Sequence, residues 1–163
     1  MKNKKVCILV SRYHAEITES MLAESRRTLI ANGFPERHIS VYNVPGAYEL
    51  SIAALKAART KRWHAVICIG CLIQGETPHF DYISQAVAQG LTQVALMTEV
   101  PVIFGVLTAL NIEQARVRAG LVEQRATDGK MKPAVNKGKE IAQAACDLLQ
   151  EMNRITNDHD PSA

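Results

Sequence analysis

A chain of 163 residues, 47% of them hydrophobic, carries enough apolar material for one domain with a packed core and too little length for two comfortable ones. The net charge of +3 is mild, acidic and basic residues are interspersed, and aromatics are sparse, so the chain offers neither the basic face of a nucleic-acid binder nor a stacking platform for single strands. No stretch approaches the ~20 apolar residues of a membrane span, and the apolar run in "MKNKKVCILV" is too short for a signal peptide; the expectation is a soluble, cytoplasmic protein whose four cysteines are reduced and buried.

In chain order, "VCILVS" (Val6 to Ser11) reads as a strand. Ile17, Met21, Leu22 and Leu29 follow at helical spacing and stop at Asn32-Gly33. "ISVYNV" (Ile39 to Val44) is a second strand closed by Pro45-Gly46, and Ala47 to Thr60 reads as a helix. "AVICIGCLI" (Ala65 to Ile73) is a continuous apolar run, as in a central parallel strand buried on both faces. Ile83, Val87, Leu91 and Val94 mark a third helix, and Pro101 to Thr108 a fourth strand. A short helix runs from Asn111 to about Arg118. The polar segment Leu121 to Lys137 reads as a loop. Ile141, Ala145, Leu148, Leu149 and Met152 mark the last helix, and Asn153 to Ala163 a frayed tail.

This alternation implies parallel strands, right-handed crossovers and helices on both faces: a single α/β domain, residues 1–152, built as a three-layer α/β/α sandwich. Ligands of such sheets bind outside the carboxyl ends of the strands. Tyr13, Glu49, Glu76, Thr77 and His79 fall at those ends.

Cys68 and Cys71 have the Cys-x-x-Cys spacing of redox and zinc motifs. In a strand, however, residues three apart point to opposite faces and lie ~10 Å apart, beyond the ~7 Å reach of a disulfide. They read as small buried hydrophobes, and no metal site is expected. "QGETPH" (Gln74 to His79) joins a buried strand to a helix. Gly75 can take an unusual backbone angle, main-chain N–H groups beside a helix start form an anion site, Thr77 adds a hydroxyl, and histidine is the residue type that titrates near neutral pH. A phosphate-bearing substrate with a proton-transfer step fits. Thr77 as N-cap with Pro78 at the first helical position is an equally physical reading, and both can hold. Glu49 fits a helix first turn or a contact to a polyol. Tyr13 could stack on a planar ring or be a surface aromatic. Arg118 and Lys137 are candidate phosphate partners by charge. Neither a P-loop nor a G-x-G-x-x-G is present, so no nucleotide cofactor is indicated.

"VPGAYEL", "GCLIQGETPHFDYIS", "VPVIFGVLT" and "NIEQARVRAG", followed by "NKG", resemble the lumazine synthase family in order and spacing. The resemblance runs from Val6 to Gly120 and resumes at Asn136 to Gly138. It implies a flavodoxin-like, four-stranded parallel sheet. It implies condensation of 5-amino-6-(D-ribitylamino)uracil with 3,4-dihydroxy-2-butanone 4-phosphate to 6,7-dimethyl-8-ribityllumazine, phosphate and water, the penultimate step of riboflavin biosynthesis, without a metal or organic cofactor. It further implies active sites between neighbouring subunits of a homopentamer, with riboflavin synthase as a candidate protein partner. By the same resemblance, Tyr13 stacks on the pyrimidine. Ala47, Tyr48 and Glu49 hold that substrate, with Glu49 on the ribityl chain, and Cys71, Leu72 and Ile73 read its edge through their backbone. Gly75, Glu76 and Thr77 bind phosphate and His79 transfers protons. The adjacent subunit offers Phe104, the phosphate-binding Arg118 and the basic Lys137.

The chain departs from the family pattern at Ser51 (commonly proline), at His14 (commonly asparagine), at Pro78, and in the segment Leu121 to Val135, which adds about ten residues to a short turn. By the same resemblance, shell-forming members have the short turn and a longer N-terminal arm; with the added segment able to obstruct pentamer-to-pentamer packing and only about five residues before the first strand, the expectation is an isolated pentamer or a pair of pentamers rather than a sixty-subunit shell. Two other readings use the same scaffold: a non-catalytic lumazine- or riboflavin-binding or shell protein, and a flavodoxin-like electron carrier, whose Ser/Thr-rich first loop this chain lacks.

Overall fold

A computed structural model describes residues 1–123 and 135–158. Four parallel strands, β1 (Val6–Ser11), β2 (Ile39–Val44), β3 (Ala65–Ile73) and β4 (Val102–Ala109), form one sheet in the order β2-β1-β3-β4. Five α-helices connect or flank them: α1 (Ala15–Ala31), α2 (Leu50–Arg59), α3 (His79–Thr98), α4 (Ile112–Arg118) and α5 (Lys137–Asn157). This is the three-layer α/β architecture read from the alternation of strands and helices, and the flavodoxin-like four-stranded sheet that the family resemblance implies.

Strand periodicity divides the core. Val6, Ile8 and Val10 of β1, with Ile67, Ile69 and Cys71 of β3, pack against Ile17 and Met21 of α1 and Ala142 and Ala145 of α5. Cys7, Leu9, Val66 and Cys68 point the other way, onto Leu50 and Ala54 of α2 and Val87 and Leu91 of α3. Cys68 and Cys71 thus sit on opposite faces, both free thiols. Each fully buried aliphatic side chain contributes about 1.5–3 kcal/mol of transfer free energy, which makes β1 and β3 the rigid centre on which the connecting loops stand.

Some element ends differ from the sequence expectation. Ala47 to Glu49 form a turn ahead of α2, with the Leu50 N–H donating to the Ala47 carbonyl at 3.1 Å. Pro78 occupies the N-cap position of α3, so His79, not Pro78, is its first residue. α5 begins at Lys137 because the Asn136 side chain caps it, accepting from the Gly138 N–H, and it continues to Asn157. The expected loop, Leu121 to Lys137, falls largely outside the described residues. So does the end of the tail.

α4 is short but bounded at both ends. Asn111 accepts from the Gln114 N–H at 2.9 Å, and Gln114 accepts from the Leu110 N–H at 3.0 Å, a reciprocal cap. At the other end Leu121 N–H reaches the Arg116 carbonyl and Gly120 N–H the Val117 carbonyl. Gly120 is in the left-handed region, φ 72°, which completes a Schellman stop.

Among the described residues, no helix is long and apolar enough to cross a membrane.

Candidate functional site

The strand order reverses direction between β1 and β3, the switch point at which doubly wound sheets bind ligands. The register shows why here. β1 pairs with β3 only as far as Val10 opposite Ile69, whereas β3 runs on against β4 to Ile73 opposite Ala109. The β1-facing edge from Gly70 to Ile73 therefore has no strand partner, and its main-chain groups open into a crevice.

Around that crevice lies a depression of about 500 Å³ lined by Tyr13, His14, Gly46, Ala47, Tyr48, Glu49, Cys71, Leu72, Ile73, His79 and Ile83. The β1–α1 turn supplies Tyr13 and His14. Arg12 N–H binds the Val44 carbonyl at 3.0 Å, and Thr18 Oγ1 donates to the Ser11 carbonyl at 3.0 Å, so this turn is tied to both neighbours. His14 itself is left-handed, φ 55°, a conformation that histidine and asparagine tolerate better than most residues. At Gly46 the side chains of Glu49 and Tyr13 come close: a Cβ there would lie 2.9 Å from Glu49 Oε2, displacing that carboxylate, and 3.4 Å from Tyr13 Cδ2. The glycine lets the ring of Tyr13 and the carboxylate of Glu49 flank the same backbone.

Tyr13, Tyr48 and His79 are exposed, Glu49 is half-buried and Ala47 and Cys71 are buried. Burial pushes the Cys71 thiol up to about 11 and Cys7 up to about 12; both are protonated near neutral pH, so Cys71 meets the crevice as a small apolar group with backbone polarity.

Gly75, Glu76 and Thr77 are exposed and do not line this depression, but join Ile73 to His79 at its rim. Gly75 does not take the unusual backbone angle expected of it: its φ is not positive, and a Cβ would meet nothing within 4 Å. No described residue accepts a hydrogen bond from the N–H groups of Gly75, Glu76 or Thr77. These donors stand directly before the twenty-residue α3, where the helix field favours an anion.

The remaining candidates lie elsewhere. Phe104, Arg118 and Lys137 line a second depression of about 500 Å³ along the open edge of β4, with Met21, Ile103, Thr108, Glu140 and Ile141. The two depressions share no residue. Phe104 is exposed on this edge strand, and Lys137 pairs with Glu140 at 2.5 Å. Arg118 makes no ion pair with a described residue.

Sequence reasoning missed Gly46, Ile83 and Glu140 as lining residues and treated His14 only as a departure. Glu140 was detectable in principle, being three residues after Lys137 on one helix. Among the described residues there is no group of three or more His, Cys, Asp or Glu able to hold a metal ion.

Two comparisons bear on this geometry. The family model described as 6,7-dimethyl-8-ribityllumazine synthase matches residues 3–153. A 6,7-dimethyl-8-ribityllumazine synthase from Salinibacter ruber is 38% identical over 151 residues, covering 93% of this chain and 90% of the relative.

Proposed function

The chain belongs to the 6,7-dimethyl-8-ribityllumazine synthase family, and from that premise we propose how its residues carry the family's reaction. It is a transferase of riboflavin biosynthesis that condenses 5-amino-6-(D-ribitylamino)uracil with 3,4-dihydroxy-2-butanone 4-phosphate and releases phosphate and water. Tyr13, Ala47, Tyr48 and Glu49 hold the pyrimidine and its ribityl chain, and the unpaired edge from Cys71 to Ile73 reads the ring. The N–H groups of Gly75, Glu76 and Thr77 receive the phosphate, and His79 moves protons at the rim.

One observation carries the assembly reading: Phe104, Arg118 and Lys137 line a depression separate from the one that holds Glu49 and His79. A site that needs both sets is completed when the β4 edge of one subunit meets the strand ends of another. Phe104 then closes over the pyrimidine, and Arg118 and Lys137 neutralise the departing phosphate. We assign the assembly as a pentamer or a pair of pentamers. Charge complementarity supports the division, with Arg118 and Lys137 on one half and the free N–H groups on the other converging on a single anion.

The test is complementation between inactive subunits. Glu49→Ala and Arg118→Ala chains, assembled together, regenerate intact sites wherever the wild-type Glu49 half of one chain meets the wild-type Arg118 half of the other. Mixed assemblies are expected to exceed both parents in lumazine formation. Activity no higher than the parents', in a verified mixed assembly, would place the whole site within one chain.

A further inference from the structure

Arg118 is the last residue of α4 and Lys137 the first of α5. Yet they line one depression, although seventeen positions separate Ala119 from Asn136. Side-chain hydrogen bonds at the two helix ends hold them together. Asn136 Nδ2 donates to the Ala119 carbonyl at 2.7 Å and lies 3.4 Å from Ser20 Oγ. Ser20 Oγ itself donates to the same Ala119 carbonyl at 2.8 Å. On its other side, Asn136 Oδ1 accepts from the Gly138 N–H at 2.8 Å, and its carbonyl accepts from the Lys139 N–H at 2.9 Å. Ala119 and Asn136 form an antiparallel bridge. Gly120 makes room for the contact, since a Cβ there would sit 3.1 Å from both Asn136 Cβ and Nδ2.

We infer that Asn136 is a positioning residue: its amide clips the end of α4 to the start of α5 and so fixes Arg118 and Lys137 as one anion-binding half-site, independently of the residues inserted between them. The amide orientation is dictated chemically. The Ala119 carbonyl can only accept and the Gly138 N–H can only donate, so nitrogen must face the first and oxygen the second. The two ends of the side chain then do different work. Oδ1 caps a helix, a role that aspartate or serine fills as well. Nδ2 makes the clip, which an aspartate carboxylate, an acceptor only, cannot reproduce. Ser20 ties the clip to α1, so the half-site is referenced to three helices.

This inference rests on reading Arg118 and Lys137 as phosphate partners, and the experiment separates the two. Asn136→Asp keeps the helix cap but sets a carboxylate against the Ala119 carbonyl. In the assembled full-length enzyme it is expected to raise KM for the phosphate-bearing substrate about tenfold, as a displaced binding group does. KM for the pyrimidine should stay unchanged, and competitive inhibition by inorganic phosphate should weaken in step. Ser20→Ala, which leaves the cap intact, is expected to move the same two quantities in the same direction by less, and it serves if the aspartate variant does not assemble. Wild-type kinetics in both variants, with only thermal stability lost in Asn136→Ala, would reduce Asn136 to a cap and overturn the inference. Arg118→Gln is the control. If its KM for the phosphate substrate is unchanged, the half-site reading falls and takes the inference with it; if that KM rises while Asn136→Asp and Ser20→Ala behave as wild type, the inference falls alone.

Discussion

His79 opens α3 and stands exposed on the rim of the depression that holds Tyr13 and Glu49. The reaction involves several proton transfers, which the proposed assignment gives to His79: an amine attacks a ketone, water and phosphate leave, and a ring closes. A positioned acid–base residue contributes typically 10²–10⁴-fold, and two reactive partners held together gain much of the rest by proximity. His79→Ala is therefore expected to lower kcat on the order of 10²-fold with both KM values little changed, leaving measurable turnover in a stopped or continuous lumazine assay. Near-complete loss in a folded, assembled variant would mean that His79 does more than relay protons. At this scale the sequence separated chemistry from packing where spacing alone was deceptive. Strand periodicity predicts Cys68 and Cys71 on opposite faces, and they are found there. It could not anticipate that His14 would be left-handed, because φ at a turn is set by how β1 hands the chain to α1. Nor could it give the N–H groups of Gly75 to Thr77 their orientation; glycine's permissiveness suggested an unusual angle that the loop does not use.

The elements are held at their far ends as well as at the site. At the start of β1, Lys5 N–H donates to His64 Nδ1 at 3.0 Å, and His64 N–H returns to the Lys5 carbonyl at 2.8 Å, lashing β1 to the residue that leads into β3. The Nδ1 acceptor needs a neutral ring. Burial and then the charge of Lys4 hold the His64 pKa below its ordinary value near 6.5, outweighing the hydrogen bond with the Lys5 backbone, which acts the other way. The folded state thus binds the proton less readily than the unfolded one. Its contribution to stability is fully present above the unfolded pKa and is lost as pH falls through the lower folded one. The gap in melting temperature between wild type and His64→Gln is expected to shrink between about pH 8 and about pH 5; a gap independent of pH would show that the lashing does not depend on the ring's charge. The four strands were legible in sequence because β-branched runs between turn residues leave few alternatives. The start of α5 was not. Its apolar periodicity begins only at Ile141, and the signal that starts it at Lys137 is a side-chain bond from Asn136, whose amide nitrogen is held by the Ala119 carbonyl, 17 positions back, and by Ser20, 116 positions away.

For the whole molecule, α3 is the informative helix, because it buries one apolar stripe and leaves large apolar side chains in solvent at both ends of its outer face, with Gln89 and Gln93 between them. Val87, Leu91 and Val94 are buried against the sheet. Tyr82 and Leu96, fourteen positions apart and so on one face, are 70% and 76% exposed, and Met97 and, on α2, Ile52 extend the same apolar character into solvent. Large apolar side chains left in solvent at both ends of one helix are what burial against a neighbouring subunit of the proposed assembly would cover. The separation of the candidate site into two depressions points to the same conclusion from the chemistry. In the proposed assembly the β4 edge of one subunit meets the strand ends of the next, and the exposed end of α3 at Leu96 is the place to test whether a neighbour covers it. Leu96→Glu buries a carboxylate at each repeated contact, which costs several kcal/mol per site when unpaired. Sedimentation is expected to show wild type as a pentamer or decamer and the variant as smaller species. If the site is shared as proposed, lumazine formation should fall with the assembled fraction, the separated chain retaining Glu49 and His79 without a neighbour's Phe104 and Arg118. A sixty-subunit wild-type particle would overturn the pentamer-or-decamer assignment. A monomeric variant with full activity would overturn the shared site, whatever the size of the parent.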